Sequence, residues 1–324
     1  MTDSKGLRPG LCTIDQYLSL PRDKATWILR PLLPIGGSML LYGAEKTGKS
    51  YLAIQLALAI SNKDEGEWLG FPIVRHGRVV YLQLDTPRSL WAWRFEDMIK
   101  QGGLKYNGNL LLADRECIEP SPLDVLQPQH CAYLHALFHQ SDPLVVIVDT
   151  LRMAHSGDED SSTTMRNVLA NLVALSEPAA LILISHSRKP HPDSDKDLMA
   201  DHRGSSFITG GVDAIMRLTK SRLYFTGRSI EEGNVKIERM ENGLWQCRMD
   251  MAEDAALQKV LTDSSLSTLR AKARVLASLT ASNEETCLSR IRRAYETLRK
   301  QGSESPQVLS NQQLTAENES ESAK

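Results

Sequence analysis

One motif constrains this chain more than any other feature of its sequence: Gly43-Ala44-Glu45-Lys46-Thr47-Gly48-Lys49-Ser50. It fits the pattern GxxxxGK[ST] and stands between a short apolar run, residues 38–42, and a segment that is apolar on most faces, residues 49–60. This order predicts a strand, a glycine-rich loop and a helix. In such a loop the main-chain N–H groups converge on phosphate oxygens, and the helix adds the positive end of its dipole. The motif therefore predicts a phosphate-binding loop.

The motif also assigns chemistry to particular side chains. Lys49 is predicted to reach the β- and γ-phosphates of ATP, and the Ser50 hydroxyl is predicted to bind Mg²⁺. Asp149 follows the apolar run 144–148, and a carboxylate at the carboxyl end of a strand can face the loop and hold Mg²⁺ directly or through water. The alternative for Asp149 is an N-cap of the next segment. The residues predicted to bind the nucleotide are Gly43, Ala44, Glu45, Lys46, Thr47, Gly48, Lys49, Ser50 and Tyr51.

The rest of the chain alternates between strand and helix patterns. Four further apolar runs predict buried strands of a parallel sheet: residues 78–84, 144–148, 180–185 and 214–218. Helical patterns separate most of them, at residues 88–101, 128–139 and 164–176. Three later runs separated by turn residues predict an antiparallel extension at a sheet edge: 223–226, 235–240 and 244–247. The fold class is α/β, a P-loop NTPase core with a mainly parallel sheet.

Composition sets the domain organisation. Of 324 residues, 41% are hydrophobic and 24% charged, which excludes a wholly disordered or fibrous chain. We expect a lead-in at 1–37, which includes a short helix near residues 14–18, and an ATPase domain at 38–250. A small helical module at 251–302 and a disordered, acidic tail at 303–324 follow.

The overall charge and the cysteines exclude other classes of protein. The formal net charge is −2, so contact with nucleic acid needs a local basic patch. No apolar run approaches the roughly 20 residues of a bilayer helix, and the first ten residues lack the apolar stretch of a secretory signal, so we expect a cytoplasmic protein. The five cysteines are scattered and never spaced CxxC, which argues against a disulfide framework or a zinc site.

Several blocks of sequence, in their order, resemble the RecA-like ATPases grouped with plasmid RepA-type hexameric helicases. After the phosphate-binding motif these blocks are VVYLQLDTP, LVVIVDTLRMAHSGDEDSS, LILISHSRKP, RGSSFITGGVDAIMRL and GRSIEEG. The likeness covers about residues 12–250. It implies a RecA-like core that hydrolyses ATP, assembles into a ring or filament, and acts on DNA in replication or recombination.

The resemblance assigns three further catalytic candidates. Asp85 stands where the family has a Glu that polarises the attacking water, and its carboxylate reaches about one methylene less far; the alternative is a turn-forming Asp before Thr-Pro. His186 matches a polar sensor that links the γ-phosphate to the DNA-facing loop. Arg228 is the first candidate, and Lys220 the second, for the residue with which a neighbouring subunit completes the site. By contrast, His135 and His139 lack the Glu of HExxH, which argues against a metal site.

Two segments are candidates for contact with DNA. The resemblance implies that residues 188–206 face a central channel, where Arg188, Lys189, Lys196 and Arg203 could meet phosphates, although four Asp residues dilute the field. The alternative is a mobile surface loop. Residues 264–302 carry eight Lys or Arg against three Glu, and a break at 280–283 fits a helix-turn-helix. Its second helix is predicted to carry five basic residues mostly outward: Arg290, Arg292, Arg293, Arg299 and Lys300. The alternative is a helical hairpin that packs on the ATPase or on a neighbouring subunit.

Three functions fit these patterns. The first is an Mg²⁺-dependent ATPase that moves or remodels DNA, and the expected partner is single-stranded DNA. The second is a nucleotide-switched DNA-binding or assembly protein with little turnover, which Asp85 in place of Glu favours. A metabolic kinase is the third.

Overall fold

The structure is a computed structural model, and it describes residues 12–19, 27–187, 206–228, 230–248, 251–263, 265–266, 268–280, 284, 287–288, 290–292 and 294–295. The first residues of the predicted lead-in, the predicted DNA-facing loop up to residue 205 and the predicted tail lie outside these ranges. In the described part, no helix is both long enough and apolar enough to cross a membrane.

Thirteen strands are described, and they alternate with helices through the first two thirds of the chain. The strands are β1 (Trp27–Leu29), β2 (Leu33–Pro34), β3 (Ser38–Gly43), β4 (Glu67–Trp68), β5 (Phe71–Pro72), β6 (Val79–Gln83), β7 (Leu110–Asp114), β8 (Val145–Asp149), β9 (Ala180–His186), β10 (Ala214–Leu218), β11 (Arg222–Gly227), β12 (Ile230–Arg239) and β13 (Trp245–Cys247). The α-helices are α1 (Ile14–Leu18), α2 (Lys49–Ser61), α3 (Arg88–Gly102), α4 (Pro128–Ser141), α5 (Ser162–Ser176), α6 (Ser206–Gly211), α7 (Met251–Thr262) and α8 (Leu269–Thr280). A short 3-10 helix, Leu151–Ala154, follows β8.

Nine strands form one sheet, in the order β13-β12-β11-β10-β3-β9-β8-β6-β7. The strands from β10 to β7 in that order pair in parallel. From β10 outward, β11, β12 and β13 pair antiparallel. The mainly parallel sheet and the antiparallel edge extension predicted from the sequence are therefore confirmed.

Each face of the sheet carries its own hydrophobic core, because consecutive side chains of a strand point to opposite faces. Met39 and Leu41 of β3 belong to the core with α2 and α3, whereas Leu40 and Tyr42 belong to the core with α4, α5 and α6. The first core also buries Ile28, Leu29, Leu32 and Leu33 from β1, β2 and the turn between them. These residues of the predicted lead-in thus pack within the core of the predicted ATPase domain.

Some elements have no counterpart in the sequence analysis. Strand β7 was missed, although Leu110-Leu111-Leu112-Ala113 is an apolar run; the structure places it at a sheet edge, where Leu111 and Leu112 are exposed. The strands of the hairpins β1–β2 and β4–β5 are only two or three residues long, which is too short to show a period.

The helices after residue 250 form a third, separate cluster. Leu257 and Val260 of α7 pack with Leu269 and Leu276 of α8 and with apolar residues at 287–295. The Lys272 ammonium group is buried and donates to three carbonyl oxygens at the end of α7, those of Val260, Leu261 and Asp263, at 2.8, 3.1 and 3.0 Å. It therefore caps the helix.

One expectation for this module is wrong. Arg290 was predicted to point outward as part of a basic face, but it is only 4% exposed. Its spacing in the helix places it beside Ile291 and Cys287, which are also buried. Arg290 therefore does not contribute to the basic face that was predicted to contact DNA. The predicted break after Thr280 includes residues 281–283, which lie outside the described ranges.

The close contact between β3 and β10 at the phosphate-binding loop predicts an effect of substitution. In Gly43→Ala the new Cβ would overlap the main-chain carbonyl oxygen of Leu218 in β10, which a strand in a paired sheet cannot withdraw. We expect a loss of about 1–3 kcal/mol in the free energy of unfolding measured in urea. The control is Gly66→Ala, where a Cβ meets no atom within 4 Å and no loss is expected. Equal stabilities for the two variants would contradict this reading of the contact.

Candidate nucleotide-binding site

The parallel sheet brings the predicted site residues to one edge. The strands β3, β6, β8 and β9 run in the same direction, so their carboxyl ends lie together. Gly43, which begins the phosphate loop (residues 43–50), pairs with His186 at the end of β9. Asp149 at the end of β8 pairs with Gln83 at the end of β6. Residues that are more than a hundred positions apart in sequence thus meet at the loop.

The Lys49 ammonium group is buried inside the phosphate loop. Lys49 is the first residue of α2, and it is 5% exposed. Nζ donates to the carbonyl oxygens of Gly43 and Ala44 at 3.0 and 2.8 Å. It lies 3.2 Å from Nδ1 of His186, which must be the acceptor because an ammonium group only donates. Two of the predicted catalytic residues are therefore in contact.

Burial shapes the acid–base chemistry of this lysine. Removal from water lowers the pKa of Lys49 from 10.5 to about 8, although the negative charges of Asp149, Glu45 and Asp85 act in the opposite direction. The ammonium form remains the main form at neutral pH. A negatively charged ligand that enters the loop would stabilise that form further.

Asp149 is a buried carboxylate held by hydroxyl groups. It is 1% exposed, and the Tyr81 hydroxyl donates to its Oδ2 at 2.7 Å. The Ser50 hydroxyl also hydrogen-bonds to it. Burial raises the pKa of Asp149, and the hydrogen bonds from Tyr81 and Ser50 oppose that shift. Burial also raises the pKa of Tyr81 well above its ordinary value, so the phenol stays protonated and donates.

The pair of Ser50 and Asp149 fits a magnesium ion. Mg²⁺ is usually held by one or two carboxylates together with substrate phosphates and water, and a loop hydroxyl and a strand-end carboxylate in contact supply that donor set. In the part of the chain that the structure describes, no group of three His, Cys, Asp or Glu residues offers an all-protein metal site. His135 and His139 stack on each other with ring centroids 6.2 Å apart.

Asp85 lies at the open side of the site. It follows β6 by two residues, is exposed, and is near enough for its charge to act on both Lys49 and Asp149. The buried Gln83 side chain holds the turn in place: its Oε1 accepts from the main-chain N–H groups of Asp85 and Thr86, both at 2.9 Å. The main chain that carries the Asp85 side chain is therefore held in place, and the side chain is exposed to solvent.

The start of α2 leaves its main-chain donors available. Gly48 precedes the helix in the left-handed conformation, with φ at 93°, and no side chain caps the first turn. The first N–H groups of a helix have no partner within the helix, so they can donate to phosphate oxygens. The geometry is suited to a phosphate chain that runs along the loop toward Lys49.

The two candidates for a residue acting on a neighbouring subunit lie near opposite ends of strand β10. Lys220 is exposed in the turn after β10, whose last residue, Leu218, pairs with Gly43. Arg228 follows Gly227, which pairs with Ala214 at the start of β10, so it lies at the edge away from the phosphate loop. There its Nη1 lies 3.5 Å from Oδ1 of Asp213. The structure thus does not bring Arg228 to the phosphate loop of its own chain.

Sequence reasoning missed three residues of the site: Tyr81, Gln83 and Trp245. Tyr81 was findable, because a tyrosine in a buried apolar run needs a partner for its hydroxyl group. Gln83, one residue before the end of the same run, gave a similar signal. Trp245 donates from its indole Nε1 to the carbonyl oxygen of Gly48 at 3.3 Å. No local pattern indicates that contact, because the two residues are 197 positions apart.

A comparison with protein-family models identifies the family of this chain. A family model described as an AAA domain matches residues 7–192, more than half of the 324 residues. The chain belongs to the AAA domain family. Membership supports a P-loop ATPase, whereas the narrower likeness to plasmid RepA-type helicases stays a prediction. No curated protein matches the sequence significantly.

Among solved structures, the AAA domain protein is similar to a KaiC-like protein, PH0186, from Pyrococcus horikoshii OT3. The identity is 12%, the TM-score is 0.47, and the match covers 71% of this chain and 99% of that one. It is also similar to a DnaB-like replicative helicase whose structure describes its interactions with primase. There the identity is 13% and the TM-score 0.48, over 65% of this chain and 57% of the helicase. At these scores neither likeness bears on function.

The lowered pKa of Lys49 predicts a pH dependence of nucleotide affinity. Above pH 8 the free protein loses the Lys49 proton, whereas binding of a polyanion favours the protonated form, so binding must take up a proton. We expect the dissociation constant for Mg²⁺-ATP to rise above pH 8 by up to about tenfold per pH unit, as measured by calorimetry.

The matched control is Lys49→Arg, whose guanidinium group stays charged over this range. Its affinity is expected to be lower at pH 7.5 but nearly constant up to pH 9.5. The same pH dependence in both proteins would show that Lys49 is not the titrating group.

Proposed function

We propose that this protein is an Mg²⁺-dependent ATPase that couples ATP hydrolysis to the movement or remodelling of DNA, in replication or recombination. One observation carries the proposal: the Lys49 ammonium group, the Asp149 carboxylate and the His186 ring meet at the carboxyl edge of the sheet, around an uncapped helix start. Three unlike polar groups at one strand edge suit a triphosphate, a metal ion and a sensor of phosphate.

In this proposal Lys49 exchanges its partners when ATP binds. Its ammonium group leaves the carbonyl oxygens of Gly43 and Ala44 and donates to the β- and γ-phosphates instead. Main-chain N–H groups of the loop and of the first turn of α2 hold the remaining phosphate oxygens. Bound Mg²⁺, held by Ser50 and Asp149, would neutralise charge on the phosphates.

Asp85 is the candidate to orient and activate the attacking water. Its carboxylate faces solvent at the open side of the site, and Gln83 fixes the turn that carries it. An ionised carboxylate near the γ-phosphate can accept the proton that water loses. The shorter reach of Asp predicts slower turnover than a Glu would support.

The link to DNA rests on His186 and the residues that follow it. His186 contacts Lys49, and the predicted DNA-facing residues 188–206 begin two positions later. When Lys49 changes its partners, its contact with His186 would change, and His186 lies just before that segment. We further propose that the protein self-associates and that Arg228, or Lys220, of one subunit completes the site of the next.

A second function is favoured by one observation, the Asp85 in place of a Glu. In that case ATP sets assembly or DNA affinity and turnover is minor. Both functions require the same nucleotide site, so the hydrolysis rate decides between them.

The test is the ATP hydrolysis rate with and without single-stranded DNA, for the parent protein, Lys49→Ala, Asp85→Glu and Asp85→Asn. We expect DNA to stimulate the parent severalfold and Lys49→Ala to abolish turnover. Asp85→Asn should lower turnover by about 10²–10⁴-fold because the general base is lost. Asp85→Glu should raise it, because the longer side chain reaches further toward the γ-phosphate.

The outcomes separate the functions. Tight ATP binding with negligible turnover in both conditions would reject the motor and support the nucleotide switch. Phosphorylation of a small molecule would reject both in favour of a kinase. Turnover that persists in Lys49→Ala would mean that hydrolysis does not occur at this site.

A further inference from the structure

The antiparallel extension of the sheet is attached directly to the phosphate loop. Trp245 of β13 is 3% exposed, and its indole N–H donates to the carbonyl oxygen of Gly48 at 3.3 Å. The same oxygen accepts the first hydrogen bond of α2, from the N–H of Leu52 at 3.1 Å. Both acceptor positions of the Gly48 carbonyl are therefore used, one by the helix and one by the extension.

The indole ring also fits closely against the backbone of Gly48. A Cβ built on Gly48 would lie 3.0 Å from Cζ2 of Trp245, which is closer than side chains ordinarily approach. Gly48 has φ at 93°, the left-handed conformation that turns the chain from the loop into α2. The ring therefore occupies the space behind the residue that shapes the loop.

A second contact holds Trp245 at a fixed height along α2. The side-chain amide of Gln55 donates from Nε2 to the main-chain oxygen of Trp245 and accepts at Oε1 from its N–H, both at 2.9 Å. Gln55 lies two turns after Gly48 on the same side of the helix. On that side, between them, the Arg239 guanidinium lies over the Tyr51 ring, 3.8 Å from its centroid, and Arg239 pairs with Trp245 in the sheet.

The contacts of Trp245 are made at Gly48, next to the main-chain N–H groups that could donate to phosphate. The N–H groups of residues 49–51 follow Gly48, and their directions depend on the orientation of the Gly48 peptide. A hydrogen bond to the Gly48 carbonyl oxygen restrains the rotation of the peptide unit that also contains the Lys49 N–H. Preorganised donors bind an anion more strongly because less ordering is required on binding.

We propose that Trp245 is a positioning residue, which holds Gly48 in place so that the main-chain donors of the phosphate loop are preorganised for phosphate. The inference rests on the proposed function, since it names a determinant of that same site. The antiparallel extension is then a working part of the nucleotide site and not only an edge of the sheet.

The test compares Trp245→Phe with the parent for two ligands, Mg²⁺-ATP and inorganic tripolyphosphate. Phe retains most of the ring and removes the N–H donor. We expect the dissociation constants of both ligands to rise by about three- to tenfold, the range that one neutral hydrogen bond supports. The hydrolysis rate at saturating ATP should stay within about twofold of the parent, because preorganisation that also serves the bound ground state affects binding and not turnover.

The matched control is Trp68→Phe. Trp68 is 2% exposed, and among the described residues its Nε1 has no hydrogen-bond partner. This substitution removes as much buried ring without a contact to the loop, so it should leave both affinities unchanged. Thermal unfolding of both variants checks that they fold.

If Trp245→Phe does not fold, Gln55→Met provides the second test. It removes both contacts to the Trp245 main chain and keeps the indole, which is then no longer held against Gly48. Binding of ATP and of tripolyphosphate should weaken in the same proportion.

Unchanged affinities in a folded Trp245→Phe would overturn the inference. So would a loss for ATP alone, because Trp245 would then act on the nucleoside. A parent protein that binds neither ligand would reject the proposed function itself, which is a distinct result.

Discussion

The structure of the site depends on the hydrogen bonds of one buried ammonium group, that of Lys49, at the carboxyl ends of the parallel strands. Lys49 is 5% exposed and satisfies its charge with carbonyl oxygens of its own loop and with His186. Such a group is costly to bury without partners, so the loop must close around it. The parallel strands β3, β8 and β9 supply the positions from which loop carbonyls, the Asp149 carboxylate and the His186 ring reach the same point.

Under the proposed function, the surroundings of Lys49 would let the site bind and release a triphosphate. The carbonyl oxygens of Gly43 and Ala44 are neutral acceptors, so phosphate oxygens compete with them favourably. Asp149 stays in place because Tyr81 and Ser50 hydrogen-bond to it. Behind the loop, Trp245 and Gln55 attach the antiparallel extension to α2. A preorganised phosphate site requires a charged group that can exchange partners, here Lys49, and a backbone held by fixed hydrogen bonds, here those of Trp245 and Gln55.

Much of this arrangement could be predicted from the sequence, because its signals are local. The glycine pattern of residues 43–50 and the apolar runs before Asp149 and His186 define a loop and two strand ends. Parallel pairing then brings those ends together. The predicted β10 and α1 match the structure residue for residue.

The rest depends on contacts between distant parts of the chain. No sequence period shows that Trp245 reaches Gly48 or that Arg290 turns inward. Edge strand β7 is defined by its parallel pairing with β6, and that pairing cannot be seen in its short apolar run. Arg228 lies away from the phosphate loop because β11 runs antiparallel to β10. The sequence analysis predicted this antiparallel strand but did not draw from it the position of Arg228.

The most direct measurement is a calorimetric titration of the purified protein with ATP in the presence of Mg²⁺ at pH 7.5. The account predicts saturable binding of one nucleotide per chain, and a Lys49→Ala variant that has lost most of that affinity. A protein that takes up no adenine nucleotide under these conditions would contradict the account at its foundation, and so would a Lys49→Ala variant that binds as tightly as the parent.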